Sequence, residues 1–251
     1  MMAKLTTYAL AGALAFAFAP VAGHAADLPE PPLLEPMAPV EFASNWYLRG
    51  DVGYKIYRNP DVSYGGSKFK GEDLDDTGVI GGGVGYKWNE WIRTDVTLDY
   101  EFKSDFDGGL FCPTTACVPF ADKYSKESAK ISAWTTLANV YFDLGSWHGV
   151  SPYVGAGAGF SNIKVSSYDF VNPNGSTGSQ KGDSNWDFSW ALMAGVGYSV
   201  TDNLVIDLGY RFLNLGDGKT KNAAGFNGNK PVKFDDLQAH EFRVGFRYLL
   251  N

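Results

Sequence analysis

A four-residue pattern recurs five times along this chain: an aliphatic residue, a glycine, an aromatic, then a polar or basic residue. The copies are Val52-Gly53-Tyr54-Lys55, Val84-Gly85-Tyr86-Lys87, Val196-Gly197-Tyr198-Ser199, Leu208-Gly209-Tyr210-Arg211 and Val244-Gly245-Phe246-Arg247. In an extended strand, successive side chains point to opposite faces. Each copy therefore sets an aliphatic and an aromatic on one face, with glycine and a polar group on the other. A sheet of such strands separates an apolar medium from a polar interior, which is the arrangement of a transmembrane β-barrel.

Eight spans carry the alternation, near residues 46–56, 78–88, 91–102, 131–143, 152–164, 186–199, 203–213 and 239–250. Each is long enough to cross an apolar band roughly 25 Å tall when tilted. The connections alternate in length. Those around Asn89, Ser146 and Thr201 are short, whereas Tyr57 to Thr77, Lys103 to Lys130, Val165 to Asn185 and Asn214 to Asp236 are long and polar. Short periplasmic turns and long extracellular loops are the rhythm of outer-membrane barrels. The expected fold is all-β, a closed eight-stranded antiparallel up-and-down barrel spanning residues 45–251.

The start of the chain supplies an address. Residues 1–25 have Lys4, then an Ala/Leu/Phe-rich stretch, then small Gly23 and Ala25, as in a secretory signal peptide. Residues 26–44 hold Pro29, Pro31, Pro32, Pro36 and Pro39, a density that prevents sheet pairing and suits a periplasmic leader. The formal net charge is −7, and no basic stripe is present, so nucleic acid is excluded as a partner.

From the opening strand Trp46-Tyr47-Leu48-Arg49-Gly50-Asp51-Val52-Gly53-Tyr54 to the closing Phe242-Arg243-Val244-Gly245-Phe246-Arg247-Tyr248, the chain resembles a known superfamily. It is similar to the eight-stranded outer-membrane β-barrels of opacity and OmpA-barrel type, and to alphaproteobacterial porin-family surface proteins. The resemblance implies residence in the Gram-negative outer membrane. It points to a structural or surface-interaction role, with outer-membrane lipids and lipopolysaccharide as partners and a host or environmental ligand reached through the loops. A monomer is expected. A narrow porin and a lipid-modifying enzyme are the alternative readings.

The register assigns Arg49, Lys55, Lys87, Arg93, Arg211, Arg243 and Arg247 to the lumen, with Asp51, Asp95, Asp99, Glu101, Asp187, Asp207 and Glu241. Seven charges of each sign suit mutual pairing, whereas a single-sign lining would suit ion selection. The lumen of so small a barrel is filled by side chains, so these charges are expected to form a plug. Glycines of the fifth and sixth strands leave room for it. Trp46, Trp88, Trp91, Trp147 and Tyr248 are expected at the periplasmic interface, and Phe102, Trp134, Phe160, Trp186 and Phe242 at the outer one.

No nucleophile–base pair stands out around His148 or His240, so no catalytic residue is assigned. Asp75-Asp76 and Asp235-Asp236 read as solvated loop charge, which leaves no metal or cofactor site. Cys112 and Cys117 lie five apart in the second long loop of an exported chain, a setting for a disulfide. Replacing both with Ser is expected to leave the folded, heat-modifiable form intact on gels. Loss of that form would make the bridge essential to the barrel.

Overall fold

The protein is described by a computed structural model covering residues 45–112, 123–225 and 228–250. The signal segment 1–25, the leader 26–44 and Cys117 lie outside the described residues. The strands are β1 Trp46–Tyr57, β2 Asp61–Tyr64, β3 Ser67–Leu74, β4 Thr77–Lys87, β5 Ile92–Phe111, β6 Tyr124–Asp143 and β7 Val150–Val171. They continue with β8 Thr177–Ser199, β9 Leu204–Asn214, β10 Gly218–Lys219, β11 Ala223–Gly225, β12 Gly228–Lys230, β13 Val232–Asp235 and β14 Gln238–Leu249.

Eight strands close into an antiparallel ring in the order β1, β4, β5, β6, β7, β8, β9, β14, with β14 returning to β1. Val52 of β1 faces Ile80 of β4 on one side and Val244 of β14 on the other, so the repeated pattern meets itself around the wall. The outer surface carries Leu48, Val52, Ile80, Val84, Val96, Leu98, Val140, Leu192, Leu208 and Val244, all exposed. Charged and hydroxyl side chains occupy the inside. Such an inversion is stable only where lipid bathes the outer face.

Three tight turns join the strands at one end, and each has a local cause. The Asn89 side chain accepts from the backbone N–H groups of Trp91 and Ile92, both at 2.8 Å. Thr201 Oγ1 accepts from Asn203 N–H and Leu204 N–H. Between β6 and β7, Gly145 and Gly149 take positive φ, and His148 does so at 51°.

At the other end the structure departs from the sequence expectation. Four strands run on well past the apolar band: β5 to Phe111, β6 from Tyr124, β7 to Val171 and β8 from Thr177. The spans expected at 91–102, 131–143, 152–164 and 186–199 are only their membrane portions. β3 pairs with the extension of β5, β2 with β3, β13 with β2 and β10 with β13. Asn185 of β8 donates to Asp217 O at 2.6 Å and accepts from Lys219 N–H at 3.2 Å, which ties β10 to β8. A second storey of wall therefore stands on the first, with β2, β3, β10 and β13 replacing β1, β4, β9 and β14. What reads as two long loops, 57–77 and 214–236, is largely part of this wall.

The change of level is marked by irregular registers between Glu101 and Ser104 in the β5–β6 pairing, and between Ala129 and Ile131 in β6–β7. A bulge bends a strand and reverses which parity faces inward. Cysteine labels at Lys68 and at Thr201, in a background lacking Cys112 and Cys117, give opposite results in whole cells if the long-strand end faces outward. Lys68→Cys is expected to react with an impermeant maleimide and Thr201→Cys to stay protected. The reverse pattern would invert the topology.

Candidate functional site

Most of the interior charges assemble into one network in the membrane ring, with the Arg247–Asp207 pair standing beside it. At its centre, Asp99 of β5 binds Arg211 at 2.7 Å and Arg243 at 2.6 Å. Arg211 also grips Glu241 at 2.6 Å, and Arg243 reaches Glu241 at 3.2 Å and the carboxylate of Asp51. One layer toward the long-strand end, Lys55 Nζ sits between Glu101, at 2.5 Å, and Glu241, at 2.9 Å. Lys55, Asp99, Glu101 and Glu241 are fully buried. Charges so enclosed are tolerable only when paired and hydrogen-bonded. Lys55 and Arg211 each meet two carboxylates and Arg243 meets three, while Asp99 meets two cations and Glu241 three. Glu101 has Lys55 alone as its cation and also accepts from Tyr57 Oη at 2.9 Å.

Toward the short turns, Arg49 binds Asp51 at 3.1 Å and Asp95 at 3.0 Å, and donates to Tyr141 Oη at 2.7 Å. Asp95 also accepts from Asn139 at 2.7 Å and Tyr47 at 3.0 Å. Arg93 pairs with Asp143 at 3.1 Å, its guanidinium lying 3.9 Å from the Tyr141 ring centre and 4.6 Å from that of Tyr153. Arg247 pairs with Asp207 at 2.6 Å. A void of about 30 Å³ remains beside Arg49, Asp51, Tyr141 and Arg243, room for a water or two. Below it a vestibule of about 560 Å³, bordered by Tyr47, Lys87, Arg93, Asp143 and Arg247, opens at the short-turn end.

The wall is recessed to hold this network. A Cβ on Gly81 would collide with the Asp99 carboxylate and come within 2.8 Å of the Arg243 guanidinium. A Cβ on Gly155 would lie 2.6 Å from the Tyr141 ring. The sequence reading gave the glycines of the fifth and sixth strands to side chains reaching across the lumen. In the structure Gly155, Gly157 and Gly195 seat Tyr141, Asn139 and Tyr153, each from an adjoining strand, whereas Gly197 makes room for the Arg247 guanidinium, which comes from β14.

Two residues assigned to the lumen stand apart from the network. Lys87 borders the vestibule with no ion pair among the described residues. Asp187 lies at the far end of the ring, accepting from Asp217 N–H and Phe188 N–H at 2.7 Å each, and so serves as a loop cap. The contributors missed include Asp143, Tyr47, Asn139, Tyr141 and Tyr57, the last donating to Glu101 at 2.9 Å. All have the inward parity of their strands, and parity was the signal that would have found them.

Above Lys55 a hydroxyl chain crosses the lumen. Thr135 donates to Glu101 at 3.1 Å and contacts Ser161 at 2.7 Å, and Ser189 links Ser161 to Leu215 O. Beyond it the filling turns apolar. Ile163, Leu213, Leu215, Leu237 and Ala239 are buried together and continue into Phe106 and Phe234, whose rings meet edge to face at 5.0 Å inside the second storey. On the flank of that storey Asp61, Asp217, Asp235 and Asp236 gather, and partial burial followed by Asp217 holds the Asp235 carboxyl above its ordinary range.

The interface aromatics sit outside in two groups. Near the short turns Tyr86 stands between Trp46, at 5.3 Å, and Trp88, at 5.0 Å, and Trp91 stacks on Phe142. Trp147 and Tyr248 are exposed at the same end. At the opposite edge Tyr100 packs on Phe102 and Trp134, Phe160 packs on Phe188, Phe242 meets Tyr210, and Trp186 is exposed. Cys112 is buried at the end of β5, and with Cys117 undescribed the bridge stays a proposal.

With this geometry in view, comparison with known proteins is decisive for the family. The profile of the outer membrane protein beta-barrel domain matches residues 11–248. The chain belongs to that family. An uncharacterised Brucella suis protein is 34% identical, covering 90% of this chain and 92% of its own. A Rickettsia rickettsii protein whose name proposes an adhesin is 27% identical, covering 81% and 87%. The outer membrane protein OprG of Pseudomonas aeruginosa shares the fold at 15% identity and a TM-score of 0.51, covering 82% of this chain and 96% of its own. The Gram-negative outer membrane is where this protein resides.

Arg243 holds three carboxylates, so Arg243→Ala orphans Asp51, Asp99 and Glu241 at once. Removing one side of a buried pair costs about 3–5 kcal/mol. Urea unfolding in lipid vesicles is expected to register a loss of that order for Arg243→Ala, and a smaller one for Arg247→Ala at the vestibule.

Proposed function

We propose that this protein is a non-conducting surface barrel whose second storey makes adhesion-type contacts outside the cell. The observation that carries the reading is the double filling of the lumen. Paired charge occupies the membrane ring and apolar side chains occupy the level above it, so a solute path would have to breach both. The chain's investment lies instead in rigid β structure projecting past the lipid, where binding residues on loops and edges are presented by a fixed scaffold. The Rickettsia relative named as an adhesin supports the same reading. No chemical step is assigned to the barrel. Its contacts are with a host or environmental ligand, as a monomer.

The test has two arms. Wild-type protein in planar bilayers is expected to be silent, and Arg243→Ala to remain silent although less stable, because Ile163, Leu213 and Leu237 still seal the lumen. A steady, ion-selective wild-type conductance would replace this reading with the narrow porin. In the second arm, a non-adherent laboratory strain displaying the protein is expected to gain binding to cultured cells. That gain should vanish when β2–β3 and β10–β13 are replaced by short turns. Equal adherence of the two strains would remove the surface-interaction role.

A further inference from the structure

At the top of the apolar band, β5 carries Phe102 and Lys103 both outward and exposed. Adjacent residues of a regular strand cannot share a face. They do so here because the register slips between Glu101 and Ser104. Without that slip Lys103 would turn inward toward the level of Glu101, whose charge is already matched by Lys55. The bulge thus delivers a cation to the outer surface at the edge of the lipid.

The neighbouring strands also carry cations just beyond the aromatic edge. On β6, Lys130 lies four residues beyond the interfacial Trp134 and is exposed; on β7, Lys164 lies four beyond Phe160, paired opposite Ser132 of β6 and Ser184 of β8. Tyr100, Trp134 and Asn162 form one cross-strand row beneath them. Lys130 is shared with Asp105, its exposed partner across the β5–β6 pairing. Lys103 and Lys164 have no ion-pair partner among the described residues. Asn162 on the same strand and Ser184 on β8 add amide and hydroxyl groups beside Lys164. The other half of the rim differs in sign, with Asp75, Asp76, Asp217 and Asp236 above β4, β1, β14 and β9, and Arg58 bonded to Gln238. Cationic surface is therefore concentrated over one sector, where the outer face changes from apolar to polar.

We propose that Lys103, Lys130 and Lys164 form a binding site for the phosphorylated sugar headgroup of lipopolysaccharide in the outer leaflet. Its acyl chains lie against the aromatics below, and its phosphates lie at the level of the three ammonium groups. Lysine clusters at a membrane edge attract anionic headgroups additively. The lysine sector would bind phosphate directly, with no bridging cation.

The experiment is a titration of the purified, folded barrel with bisphosphorylated lipid A, followed by native mass spectrometry. Lipid A stripped of its phosphates and phosphatidylglycerol serve as the other two probes. The triple variant Lys103→Gln/Lys130→Gln/Lys164→Gln is expected to bind bisphosphorylated lipid A roughly 150-fold more weakly. The triple Lys→Arg variant should match wild type, as should Lys68→Gln/Lys233→Gln in the second storey. Heat modifiability on gels establishes that each variant is folded before it is scored. Equal affinity of wild type and the Gln variant, or equal affinity for lipid A with and without phosphates, would overturn the site. Phosphatidylglycerol competing as well as lipid A would overturn its assignment to lipopolysaccharide.

Discussion

Lipid offers no hydrogen-bond partner to the backbone, so a sheet that crosses it must have no free edge. Everything else in this structure follows from how that edge is closed. Pairing β14 back onto β1 gives a ring of eight, the size at which side chains fill the interior. The strand alternation that greases the outside also delivers a polar side chain to the inside at every second position. Many of those positions carry charge, and the enclosed space admits little water to solvate it. The result is a set of carboxylates and cations obliged to satisfy one another, with glycines thinning the wall where they crowd it. Gly81 is as much a part of the Asp99–Arg243 contact as either charged residue.

The ring also explains why the protein continues outward as sheet. Extended β5, β6, β7 and β8 leave two open edges above the lipid, at β5 and β8. Edge strands left bare invite intermolecular pairing. β3 covers the first edge by direct pairing, and β10 approaches the second through Asn185 and Asp217. The apolar residues of this level, Phe69, Phe106, Val232, Phe234 and Leu237, then have an interior to occupy, and the barrel gains a water-excluding layer distinct from the ionic one.

The membrane ring was legible because its signal is strict: one period, one apolar face, and turns where the alternation stops. The charged core was legible for the same reason. Arg49, Asp99, Glu241 and Arg243 were placed by counting in twos. Asp143 and Tyr141 obeyed the same count and were passed over because the fourth strand was read loosely. Lys87 and Asp187 had lumen parity but lie at the strand ends, where parity no longer guarantees enclosure. The second storey was hidden by different physics. Past Phe102 the bulge shifts parity, so Phe106 and Leu110 face inward while Phe102 faced out. Tyr124 to Lys130 places Ser125 and Glu127 inside and lysines outside, leaving no apolar stripe to follow. The short strands β2, β10 and β13 gain their stability from tertiary partners, and their composition alone resembles loop.

The pairing of β13 with β2 joins segments far apart in the chain, Val232 with Tyr64 and Asp235 with Asp61. β13 immediately precedes the last strand of the ring. The exterior wall can therefore not be completed until nearly the whole polypeptide has been delivered across the bilayer. A barrel stalled short of β13 and its final strand would show the cell's surroundings a ragged rim, bare at the β2 edge and greasy within. The finished exterior is thus a record of completed insertion, and any machinery or ligand that reads it reads only mature molecules.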